Sequence, residues 1–232
     1  MNSFLQNATV VLVHGAWADG SCWQHVILPL QRQGLKITCV QIPLTSLTDD
    51  IAALQRVIER TTGPVLLAGH AYGGAVIAGP HDDRIKSLVY VAALAPDEGE
   101  TVADVFYRAE PHSDAPRIAP DEHGFIWMPE EGFRNAVAHK ASQDQAAILS
   151  AVQRPISLQC IQEKAPAPAW KTKPSWFLLA EEDRMISPET QRYMANRMGA
   201  NVRSHPVDHS PMLTAPDLVT EVILETARQT LQ

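Results

Sequence analysis

A short apolar run, Val65 to Ala68, leads straight into Gly69-His70-Ala71-Tyr72-Gly73-Gly74. A buried strand that turns within a few residues and continues as a helix needs glycine at its corners, where a side chain would collide or strain the backbone. The turn aims its central side chain, Ala71, out past the end of the strand. A strand followed at once by a helix is also the opening of a crossover, so this turn points to a parallel sheet.

The rest of the chain repeats that grammar. Thr9 to Val13 reads as a buried strand, Trp23 to Arg32 as a helix closed by Gly34, and Leu35 to Gln41 as a second strand. Thr48 to Arg60 carries Ile51, Leu54, Val57 and Ile58 on one helical face. Val65 to Ala68 is the third strand, Tyr72 to Gly79 a helix and Ile85 to Ala93 the fourth strand. Alternation then stops: from about Pro96 to Pro174 the spacing predicts only helical pieces, Thr101 to Arg108, Glu130 to His139 and Gln143 to Gln153. It resumes with strands Ser175 to Ala180 and Asn201 to His205 and helices Ser187 to Met198 and Asp217 to Thr230. The expectation is α/β: one domain over residues 1–232, about six mostly parallel strands flanked by helices, with a helical cap at 96–174 inserted after the fourth strand.

Composition narrows the partners. The 232 residues are 45% hydrophobic, enough for a large core, and the net charge of −7 with no basic run argues against nucleic acid. No stretch of about 18 apolar residues predicts a membrane span, and the N-terminus has no secretory pattern, so a cytoplasmic protein is expected. Cys22, Cys39 and Cys160 are odd in number and widely spaced, which predicts free thiols rather than disulfides or a zinc site. His205 and His209 stand four apart but without a helical HExxH, so no metal is expected. The glycines lack P-loop and dinucleotide spacing, and no cofactor is expected. The partner is a small-molecule substrate; a homodimer is left open.

In parallel sheets, ligands sit beyond the carboxyl ends of the strands. The residues there are His14-Gly15-Ala16-Trp17, the Gly69 to Gly73 turn, Asp97, Glu181-Glu182-Asp183 and Asp208-His209. Glycine turn, acid and histidine come in the chain order that goes with a G-x-S-x-G elbow. VVLVHGAWADGSCW, GPVLLAGHAYGGAVI, LVYVAALAPDEGE, KPSWFLLAEEDR and DHSPM, spread over nearly the whole chain, resemble the α/β-hydrolase-fold family. Within it the chain looks close to small bacterial esterase-like proteins and similar to the plant esterase and hydroxynitrile lyase group.

The resemblance implies roles. His209 is the general base and acid, Asp183 its orienting carboxylate, and the backbone N–H groups of Ala16 and Tyr72 form an oxyanion hole. Asp97 is the weaker candidate for the acid. Trp17, His70 and Met212 are candidate substrate contacts, whereas Trp23 is expected in helix packing. Phe106, Phe125, Trp127 and Phe133 are candidate lining for an apolar site, with ordinary core as their alternative role. The departure is Ala71, in the catalytic position where the family pattern has serine. A methyl group cannot attack a carbonyl, and losing such a nucleophile costs on the order of 10⁶ in turnover. Three readings stay open. One is a hydrolase of a small apolar ester or lactone, with Ala71 in place of its serine. Another is a natively serine-less enzyme, a decarboxylase, lyase or cofactor-free catalyst, using Asp183 and His209 for proton transfer. The third is a non-catalytic ligand-binding protein.

Overall fold

The structure is a computed structural model that describes residues 3–231. Strands β1 (Thr9–Val13), β2 (Lys36–Val40), β3 (Val65–His70) and β4 (Ile85–Val91) precede a short pair, β5 (Phe125–Ile126) and β6 (Ile156–Ser157); β7 (Ser175–Ala180) and β8 (Asn201–His205) follow. The long strands make one six-stranded sheet in the order β2-β1-β3-β4-β7-β8, each neighbouring pair parallel. The helices are α1 (Gln24–Arg32), α2 (Leu47–Glu59), α3 (Gly73–Ile77), α4 (Val102–Phe106), α5 (Glu130–Gly132), α6 (Gln143–Ala151), α7 (Leu158–Gln162), α8 (Pro188–Arg197), α9 (Pro211–Thr214) and α10 (Pro216–Thr230).

Strand pleating divides the core between the two faces of the sheet. Val11, Val13, Leu67, Tyr90 and Phe177 point to the side covered by α2, α3 and α8, where they meet Leu54, Ile58 and Met194. Val10, Leu12, Leu66, Val89 and Leu178 point to the side of α1 and α10, against Val26, Leu30, Val219 and Ile223. Burial on both faces is why the central strands are continuous apolar runs. The outer strand β8 is largely exposed and its sequence, Asn-Val-Arg-Ser-His, is mostly polar. Among the described residues no helix is long and apolar enough to cross a membrane.

Three expectations need correction. Residues 96–174 are not helical pieces alone, because β5 and β6 pair antiparallel within them. Glu130 to His139 is not one α-helix: after α5 the chain widens into a π-turn over Phe133–Val137, closed by the Ala138 N–H donating to the Phe133 carbonyl at 2.8 Å. The helix at the second crossover begins at Leu47, capped by the Ser46 hydroxyl, which accepts from the Asp49 N–H.

The chain leaves β1 toward β2 on one side and returns to β3 on the other, so the sheet order reverses at β1. Loops leaving two strands at such a reversal diverge and open a crevice at the carboxyl edge. Val13 pairs with Gly69, so the loop at His14 to Trp17 and the turn at Ala71 stand side by side there.

Candidate active site

The turn at Ala71 is as tight as its sequence requires. Ala71 has φ of 48°, in the left-handed region that an L-residue enters only at a cost. A Cβ on Gly69 would lie 2.5 Å from the Gly73 carbonyl oxygen, and one on Gly73 would lie 2.7 Å from the carbonyl oxygens of Val13 and His14. Neither position can carry a side chain. The Ala71 carbonyl accepts from the N–H groups of Gly74 and Leu94, each at 3.0 Å, which fixes the turn to its own helix and to the end of β4.

His209 comes from the loop after β8 and Asp183 from the loop after β7. Nδ1–H of His209 donates to Oδ2 of Asp183 at 2.8 Å, and both side chains are buried. The carboxylate has three further donors: Met185 N–H at 2.7 Å and Ile186 N–H at 2.9 Å on Oδ1, and Gln191 Nε2 at 2.8 Å on Oδ2. With this many donors the buried carboxylate is held in one orientation. Gln191, in α8, has its Oε1 bound by the Ala180 N–H, so the amide ties the acid to the end of β7. Sequence reasoning missed Gln191; its only sequence signal is its place on the buried side of a polar helix. The other acids are occupied elsewhere, Glu181 by Arg192, Glu182 by Lys140 and Asp97 by Lys171. Asp183 is therefore the acid of the pair, and Asp97 is not.

His70 underlies His209. Its Nε2–H donates to the His209 carbonyl at 2.7 Å, and the two rings are 4.8 Å apart. Burial, with a smaller contribution from His209, pushes the His70 pKa well below that of free histidine, so this ring stays neutral. His14 is a second buried neutral ring: Nδ1–H donates to the Gly15 carbonyl, and Nε2 accepts from the Ile42 N–H. Burial lowers its pKa to about 4.

Two cavities meet at this point, and Ala16, Trp17, Ala71 and His209 line both. The first, of about 560 Å³, is almost wholly apolar, with Tyr72, Leu94, Val102, Phe106, Ile118, Ile161 and Ile186 in its wall. The second, of about 860 Å³, adds His70, Phe133, Leu149 and Met212, and has polar Asp19, Ser21 and Gln24 in its wall. Thus Trp17, His70 and Met212 all face cavity space, as do Phe106 and Phe133. Phe125 and Trp127 do not line either cavity; Trp127 is half exposed and donates to Asp121. Trp23 is fully buried core. Among the described residues no protein group accepts from the N–H of Ala16 or of Tyr72. The arrangement offers a fixed imidazole, two amide donors with no protein acceptor and an apolar chamber beside a methyl group that cannot form a bond.

Residues 10–222 match the sequence pattern of the alpha/beta hydrolase family. The chain is 24% identical over 249 residues to methylesterase 2 of Arabidopsis thaliana, covering 94% of this chain and 95% of that protein. It superposes on a pyrethroid hydrolase from Sphingobium faniae with a TM-score of 0.83 at 22% identity, covering 95% of this chain and 97% of the other. A variant of tomato methylketone synthase I complexed with β-ketoheptanoate gives a TM-score of 0.81 at 17% identity, covering 96% of this chain and 98% of the other. Sheet order, elbow and acid–histidine pair agree with that match over nearly the whole length: the chain belongs to the α/β hydrolase family.

Proposed function

We propose that the site takes small, apolar carboxylic esters or lactones, and that it is laid out for acyl transfer with the covalent step blocked at Ala71. The observation that carries this is the Asp183-held imidazole of His209 lining the same cavity as the Ala71 methyl. With a hydroxyl at residue 71, His209 Nε2 takes its proton as the oxygen attacks the carbonyl. The Ala16 and Tyr72 N–H groups hold the oxyanion, and His209 then returns the proton to the leaving alcohol. The apolar chamber suits the acyl group, and the second chamber, with polar Asp19, Ser21 and Gln24 in its wall, suits the alcohol. Trp17, His70 and Met212 are assigned to substrate contact, and residues 96–174 to a cap over it. The esterase names among the relatives, methylesterase 2 included, support the same substrate class. We place the protein in the cytoplasm as a small-molecule enzyme, in keeping with its three free thiols.

The test is Ala71→Ser assayed on short p-nitrophenyl esters. Hydrolysis at least about 10³-fold above the wild-type chain is expected. No gain in a folded variant overturns the reading.

A second reading has its own observation. A base and oxyanion donors without a nucleophile suit a substrate that needs only proton transfer, and the similar methylketone synthase is a complex with a β-keto acid. On this reading a β-keto carboxylate loses carbon dioxide, the amide donors hold the enolate oxygen, and His209 delivers a proton to carbon. Carbon dioxide release from β-keto acids by the wild-type chain, abolished in His209→Ala and retained in Ala71→Gly, supports it; none from the wild-type chain removes it.

A further inference from the structure

Asp50 is fully buried in α2, and the Asp183–His209 chemistry makes no use of it. Its carboxylate accepts from donors on three separate segments. Leu44 N–H, in the loop before α2, donates to Oδ1 at 2.7 Å; the Tyr72 hydroxyl donates to Oδ2 at 2.7 Å; the Cys160 thiol, in α7, donates to Oδ2 at 3.6 Å. Tyr72 immediately follows Ala71. Leu44 has φ of 61°, and its carbonyl accepts from Ser157 N–H, the residue that caps α7. One carboxylate is therefore the junction of the elbow, the loop before α2 and the segment between β4 and β7.

We propose that Asp50 is a positioning residue: by holding the Tyr72 side chain it sets the direction of the Tyr72 N–H, and by holding Leu44 and Cys160 it seats α7 against the elbow. This deepens the acyl-transfer reading and rests on it. The three partners all donate, which suits a carboxylate and not a carboxylic acid. A proton on Asp50 turns one oxygen into a donor. The Tyr72 hydroxyl then has to reverse, and its own hydrogen loses its acceptor. Burial is the largest influence on Asp50 and raises its pKa to about 6; Asp49 on the same helix pushes the same way. Tyr72 and Cys160, the titratable groups facing it from the elbow and from α7, are pushed up and stay neutral. The orientation of an oxyanion donor is thus tied to a proton that exchanges in the mildly acidic range.

The test needs no turnover. In ¹H–¹⁵N spectra of the wild-type protein from about pH 5 to about pH 8, the Tyr72 amide should titrate with a midpoint near 6 and be flat in Asp50→Asn. In the Ala71→Ser background, Asp50→Asn and Tyr72→Phe should each lower kcat about tenfold with KM within about twofold, the mark of an interaction made in the transition state. A Tyr72 amide that stays flat in the wild-type protein, or an Asp50→Asn variant as active as its Ala71→Ser parent, overturns the proposal. If Ala71→Ser alone hydrolyses nothing, the acyl-transfer reading falls, and the amide titration alone decides for or against Asp50. If Asp50→Asn does not fold, Tyr72→Phe and the wild-type titration decide instead.

Discussion

At Ala71 the backbone is strained and the side chain is inert, so two substitutions there separate structure from chemistry. Ala71→Gly removes the left-handed strain and should stabilise the fold by about 1 kcal/mol in urea denaturation. Loss of stability there would mean that the methyl packs better than its φ suggests. Gln191→Ala leaves a buried carboxylate one donor short and the Ala180 N–H unpaired; a loss of about 3 kcal/mol is expected by the same measurement. Asp183 was legible through the resemblance of its Glu182-Asp183-Arg184 context to the family's acid position; its place after an apolar run alone does not set it apart from Glu181 and Glu182. Gln191 was not, since its side-chain partners Ile186, Asp183 and Ala180 are 5, 8 and 11 residues away in loop and strand-end positions whose packing no local pattern reports.

At the scale of elements, the elbow works by close approach of backbone to backbone. Gly73→Ala drives a Cβ against two carbonyl oxygens of β1 and its loop, and should cost about 3 kcal/mol or prevent folding, read as a fall in Tm. A neutral outcome would show that β1 and α3 can separate. Strands β1, β3, β4 and β7 were readable as largely apolar runs, whereas the more polar β2 and β8 were readable from their place in the strand–helix alternation. The β5–β6 pair was not: each strand is two residues, and the paired residues are 32 and 30 apart in the chain, too short and too distant to leave a period. The π-turn escaped for a related reason. Its wide closure at Phe133 and Ala138 answers to the site beneath it, where the Ser210 hydroxyl donates to the Val137 carbonyl at 2.7 Å, so the neighbour of His209 anchors it. Trp17 makes the corresponding link on the other side, Nε1 donating to the Ile126 carbonyl at 2.9 Å, which joins the loop after β1 to β5.

For the whole molecule, two buried groups give opposite responses to acid. His14 titrates at about 4 when folded against an ordinary 6.5, so its contribution is complete above 6.5 and is lost as pH falls toward 4. Asp50 titrates at about 6 against an ordinary 3.8, so the folded state takes the proton first and gains stability as pH falls from 6 toward 3.8. Each amounts to about 3 kcal/mol. Asp50→Asn should therefore lose stability more steeply than wild type between pH 6 and pH 4 in urea titrations; parallel curves would contradict the assignment. The sheet was visible in the sequence because strand ends and glycine turns mark the carboxyl edge of a parallel sheet; the family and the pairing of Asp183 with His209 were visible through the resemblance of the quoted stretches. The double cavity and the Asp50 junction were not, because they are made by segments that meet only after folding. On the proposed acyl-transfer reading the site lacks only a nucleophile. Initial rates on p-nitrophenyl butyrate for the wild-type chain, Ala71→Ser and Ala71→Ser with His209→Ala test it most directly. Hydrolysis is expected in Ala71→Ser alone, at least about 10³-fold above the other two. A folded Ala71→Ser protein no faster than wild type would contradict it.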